Sequence, residues 1–108
     1  MGQVAISITV QQKLESLLEL LYVEGYFGFK EDAINYVDDL ISFMYTIPNK
    51  KHLRTNSSKY GSYYCKYKVN KHTTWFFIFE KEDDMFLITY VFNNHTKDYP
   101  DTINQLYL

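Results

Sequence analysis

The chain has 108 residues, of which 46% are hydrophobic and 19% aromatic, and its formal net charge is −2. That length suits one domain with one core, spanning residues 1–108, and so much apolar surface excludes a disordered chain. The single cysteine excludes an internal disulfide and a CxxC metal or redox site, so we expect no metal and no cofactor. Val4, Ile6, Ile8 and Val10 alternate with Ala5, Ser7 and Thr9, the period of a strand with one buried face. Thr9 and Gln12 stand at capping-box spacing, and Leu14, Leu17, Leu18 and Leu21 follow on one side of a helix that ends near Gly25. Residues 25–29 form a short aromatic turn. Glu31 and Asp32 then place negative charge where the dipole of a second helix favours it. Ile34, Val37, Ile41 and Met44 mark its buried face with Leu40 at the border, and Ile47-Pro48 stops it because the residue before proline avoids the α region.

Residues 49–59 are polar and basic without apolar period, and read as a loop. From Gly61 the period becomes two. Tyr63, Cys65, Tyr67 and Val69 share the face that looks toward the helices, and Tyr64, Lys66 and Lys68 share the other. A turn at 70–72 leads into residues 74–79, apolar on both faces as a central strand is. The acidic turn 80–84 leads into a last strand over 85–92. Tyr99-Pro100 breaks the pattern, and Ile103, Leu106 and Tyr107 supply one amphipathic helical turn that packs back onto the sheet. The predicted class is α+β, ordered β-α-α-β-β-β, with a helical hairpin on one face of a mostly antiparallel four-stranded sheet.

Charge is segregated along this order. Residues 1–39 carry two basic and seven acidic side chains, and residues 80–108 carry two and six. Between Asp39 and Glu80 there is no acidic residue at all, while Lys50, Lys51, Arg54, Lys59, Lys66, Lys68 and Lys71 fall in that gap. A local positive field within an acidic chain suits a polyanion or an acidic partner docking at one place. No apolar run approaches the roughly 18 residues of a membrane span, and no basic leader precedes an apolar stretch, so we expect a cytoplasmic protein with no membrane partner.

The strand and helix order, the hairpin carrying Tyr36-Val37-Asp38 and ending at Ile47-Pro48, the Lys-rich connection, Gly61-Ser62-Tyr63-Tyr64, and Asn94-His95 with Tyr99 together resemble the RelE/ParE superfamily of type II toxin-antitoxin toxins. The resemblance implies a toxin held by a cognate antitoxin, in one branch a ribosome-dependent, metal-independent messenger RNA endoribonuclease. It further implies that Lys66, Lys68, Arg54, His95 and Tyr99 surround the scissile phosphate together with Lys50 and Lys51 of the loop. With Lys50 and Lys51, the basic Lys59 and Lys71 are expected to hold the RNA, and Tyr64, which shares a face with Lys66 and Lys68, is expected to stack on a base. Ribonuclease relatives commonly have an arginine at the start of the middle strand, where this chain reads Thr73-Thr74-Trp75. The ParE branch lacks such groups and binds DNA gyrase without cutting. A catalytically inactive RNA-binding or protein-binding module is the third reading.

Cleavage through the 2′-hydroxyl of RNA needs a base, a cation for the phosphoryl oxygens and an acid for the departing oxygen. With no carboxylate in the basic stretch, Lys66 or Lys68 would serve as base, Arg54 as fixed cation and His95 as acid. The plain alternatives are a solvated strand face for the two lysines and an ordinary strand-end position for His95. His52 and His72 read as loop and turn residues, Cys65 as inert core, and Glu80, Glu82, Asp83 and Asp84 as a solvated hairpin. The functional reading requires Arg54, Lys66, Lys68 and His95 to meet on one uncovered side of the sheet.

Overall fold

The computed structural model describes residues 2–23, 30–55 and 59–95. The expected cap at Gly25, the aromatic turn, the Tyr99-Pro100 break and the final helical turn at Ile103, Leu106 and Tyr107 lie outside them.

The alternating stretch at the amino terminus divides into two elements. Strand β1 is Gln3–Ile6, and helix α1, Ile8–Val23, starts two residues later. Ser7 makes the division: its hydroxyl accepts from the Val10 amide at 3.2 Å, and its carbonyl accepts from the Gln11 amide at 3.0 Å. Ser7 is thus the N-cap, not Thr9 as the capping-box spacing predicts. Burial is the reason this arrangement wins. In a strand Ile8 and Val10 would share a face, whereas here Val10 is 1% exposed beside Leu14 and Ile8 is 71% exposed.

Helix α2 is Lys30–Thr46, and a 3-10 turn, Ile47–Asn49, with Pro48 near its start, ends it where expected. Its buried stripe is Ala33, Val37, Leu40 and Met44, with Ile34 turned partly outward, so the face is rotated from the predicted one. After it come β2 (Leu53–Arg54), β3 (Tyr63–Asn70), β4 (Thr73–Glu82) and β5 (Met85–Asn93).

Among the described residues the sheet has five strands in the order β1-β5-β4-β3-β2, antiparallel except that β1 runs parallel to β5. The fold is therefore α+β, two helices on a mixed five-stranded sheet. The fifth strand is β2, hidden in the basic loop because two residues are too few to show a period. Much of the predicted acidic turn is strand, since β4 runs through Glu82 and β5 starts at Met85. The reversal itself takes only Asp83 and Asp84, with Asp83 at φ 52°.

The helices cover one sheet face, where Val10, Leu14, Val37, Leu40 and Met44 meet Cys65, Trp75, Phe77, Phe79, Ile88 and Val91. The other face has a smaller core of its own: Tyr64, Phe76, Ile78 and Phe92, with Leu53, Tyr60 and Tyr90 packed against it. Tyr60 stacks on Tyr90 with ring centres 4.0 Å apart. The adjoining Gly61 passes so close that a Cβ there would lie 2.8 Å from Ile78 Cγ2 and 3.1 Å from the Phe79 carbonyl oxygen. This crossing sits at Thr89, the extra residue between the pairs Ile78↔Tyr90 and Phe79↔Ile88, whose hydroxyl donates to the Ile78 carbonyl at 3.2 Å. The side of the sheet away from the helices is not bare.

Candidate nucleic-acid interface

Lys66 and Lys68 lie on β3 opposite Phe76 and Thr74, exposed and on the face away from the helices, as the period of two predicts. Tyr64 shares their face, but it is 4% exposed and packs with Phe76, Ile78 and Phe92. Its ring is core, not a stacking platform for a base.

Beyond Lys68 the β3–β4 turn is built by asparagines. Asn70 Oδ1 accepts from the amides of His72 at 2.8 Å and Thr73 at 3.0 Å, an Asx-type closure that leaves Lys71 exposed at the tip. Asn94, just past β5, reaches over to the same turn. Its Oδ1 accepts from the Thr74 amide at 3.0 Å, and its Nδ2 donates to the His72 carbonyl at 2.9 Å. Asn93 Oδ1 accepts from the His95 amide at 2.7 Å and so fixes the last turn. These bonds bring His95 to the same corner as Lys68 and Lys71.

The protonation of His95 follows from its partners. Its Nε2 lies 3.1 Å from the His72 carbonyl oxygen and 3.2 Å from Thr73 Oγ1. A carbonyl only accepts, so Nε2 carries hydrogen and cannot take a proton from the Thr73 hydroxyl. Thr73 and His95 are therefore not a nucleophile and base. Nδ1 is the remaining position through which His95 can exchange a proton.

Arg54 does not join this group. It pairs with Tyr63 at the opposite end of β3, and its guanidinium lies 5.3 Å from the Tyr63 ring centre. Tyr63 packs against the helix-side core, so Arg54 stands on that side of the sheet. Lys68 is five residue steps along β3 from Tyr63, about 17 Å at the ordinary rise. Lys50 and Lys51 lie on the helix side beside the middle of β3: Lys50 Nζ lies 5.8 Å from the ring centre of Phe43, which stacks on Tyr67, and the Lys51 carbonyl accepts from the Cys65 thiol at 3.3 Å. Lys59 lies 5.2 Å from the Tyr60 ring centre. Tyr99 is outside the described residues. The basic stretch thus forms two patches, one at the β3–β4 corner and one beside β2, and the expected convergence on one uncovered face does not occur.

The corner is chemically simple: three exposed ammonium groups, one imidazole and several amides. Among the described residues the β4 carboxylates, Glu80 and Glu82, lie at the far end of the hairpin, and no group of three or more His, Cys, Asp or Glu side chains is placed to hold a metal. Such a set can attract phosphates by charge and by N–H donors, and it leaves Nδ1 of His95 as the ring position open to proton exchange. Cys65 offers no second chemistry. Burial pushes its thiol up to about 11, against a smaller opposing effect of the Lys50 charge.

Three residues carry more than their sequence context signals. Asn70 and Asn94 hold the corner together, and the available sign is an Asn at the end of β3 and another just after β5. His52, read as a loop residue, has its Nε2–H on the Ile47 carbonyl at 2.8 Å and its ring against the edges of Phe79 and Phe86 at 5.2 and 5.3 Å. It fastens the basic loop to the core, and nothing in its neighbours along the chain points to that. Comparisons with protein families, characterised proteins and solved structures return no match.

Proposed function

We propose that this chain is a toxin of the RelE/ParE kind, working in the cytoplasm on RNA at the ribosome and neutralised by a cognate antitoxin. The observation that carries the reading is the gathering of Lys66, Lys68, Lys71 and His95 at one corner of the sheet, remote from the acidic β4–β5 turn. In the nuclease form of this proposal the corner lysines hold the phosphate and His95 Nδ1 moves the proton, with no role for Arg54. No helix is long and apolar enough to cross a membrane among the described residues, in keeping with a cytoplasmic site of action.

The test is induced expression in a bacterial host, with messenger RNA ends mapped on translating ribosomes. Growth arrest with new 5′ ends, relieved by His95→Ala combined with Lys66→Ala, supports the proposal. Normal growth at high expression sinks it. The remoteness of Arg54 favours a second reading, a protein of similar architecture that binds gyrase or RNA and cuts nothing. Arrest with intact messenger RNA and altered plasmid supercoiling selects the gyrase form. Binding to RNA without cleavage selects the binding module.

A further inference from the structure

The helix-covered side of the molecule carries a feature that the RNA reading does not use. Between α1 and α2 lies a cleft of about 310 Å³. Its floor is Leu14 and Val37, 5% and 6% exposed, and its walls include the half-buried Leu18 and Ile41. Glu15 stands on the α1 wall and Asp38 on the α2 wall, both exposed. Neither carboxylate has a hydrogen bond or ion pair among the described residues. Their surroundings do not compensate them: Lys13 and Lys30 are the basic residues of the first 49. Lys13 Nζ is turned onto the Tyr90 ring of β5, 4.2 Å from its centre, and Lys30 opens α2 eight residues before Asp38, about 12 Å along the axis.

We propose that this cleft is a docking groove for a basic amphipathic helix of a partner protein. An apolar floor between two helices accepts aliphatic anchors spaced i, i+3 or i+4 along a third helix. Two carboxylates on opposite walls select Lys or Arg on both flanks of that helix, and steer it by charge before contact. The segment 96–108 of this chain does not have the required sign, since Lys97 is outweighed by Asp98 and Asp101. The partner is therefore another polypeptide, and it leaves the β3–β4 corner uncovered. This inference stands whether or not the corner acts on RNA.

The test uses two synthetic helical peptides with the same leucine anchors, one flanked by lysines and one by glutamates, titrated into the isotope-labelled full chain. Exposed ion pairs each change affinity by up to about five-fold, so two give a preference of up to about 25-fold for the lysine peptide, reduced by salt. The expected amide shifts centre on Glu15, Leu18, Asp38 and Ile41. Glu15→Lys with Asp38→Lys, both on the surface and checked for fold by circular dichroism, should transfer the preference to the glutamate peptide. Equal binding of the two peptides, shifts centred elsewhere, or an unchanged preference in the double variant overturns the proposal. So does concentration-dependent dimerisation abolished by Glu15→Lys, because the occupant is then a second copy of this chain.

Discussion

Trp75 of β4 donates its indole N–H to the hydroxyl of Tyr36 on α2 at 3.0 Å, across the interface between sheet and helical hairpin. Trp75 is 3% exposed and Tyr36 half-buried, so removing the hydroxyl leaves a largely shielded donor without its partner. Tyr36→Phe keeps the ring and strips the acceptor. Leaving a buried donor unpaired costs about 1–3 kcal/mol, and thermal denaturation should show a lowered Tm with an unchanged far-UV spectrum.

Ser7 and Thr9 make opposite predictions. Ser7 caps α1 through its hydroxyl, whereas Thr9 lies inside the first turn and is exposed. Ser7→Ala should cost about 1 kcal/mol in chemical denaturation, and Thr9→Ala little or nothing, because alanine is the better helix former. Equal losses at the two positions would mean that the helix starts where the capping-box spacing places it.

That contrast explains how much of the molecule was legible in its residues. Strands β3, β4 and β5 were readable because Tyr63, Cys65 and Tyr67 alternate with Tyr64, Lys66 and Lys68, and because 74–79 and 85–92 are apolar on both faces. The start of α1 is not legible because β-branched residues at 4, 6, 8 and 10 continue a strand period straight through a helix cap. Only the burial of Val10 beside Leu14 breaks the tie. The site was half legible for a related reason. Period two puts Lys66 and Lys68 on one face with certainty, but β2 decides where Arg54 goes, and a two-residue strand leaves no pattern. For Tyr64 the period gives the correct face but not the environment, since residues that pack in its cluster, such as Phe92, are remote in sequence.

Cys65 titrates at about 11 in the folded chain against an ordinary 9.0, raised by burial and partly offset by Lys50. The unfolded chain therefore ionises first. The stability from this group is fully present below pH 9 and is lost as pH rises through about 11. A thiol reagent at pH 8 should label native protein far more slowly than protein in denaturant, with the native rate rising only on approach to the folded pKa. Rapid native labelling at pH 8 would contradict the buried, protonated thiol.

The corner makes a quantitative prediction for RNA. Lys66, Lys68 and Lys71 are exposed on β3 and the turn that follows it, so in the proposed RNA reading each would contact phosphate through charge and none would read a base. For single strands each neutralised phosphate contributes about 0.7 to the slope of log affinity against log salt. Lys68→Ala should then weaken binding to any unstructured RNA by a similar factor and lower the slope by about 0.7, with Lys66→Ala additive to it. Arg54→Ala, on the other side of the sheet, should leave both quantities unchanged. The measurement is a fluorescence-anisotropy titration of a labelled single strand at several salt concentrations. If Arg54→Ala alters the slope as much as Lys68→Ala does, RNA is bound around the edge of the sheet and not at the corner.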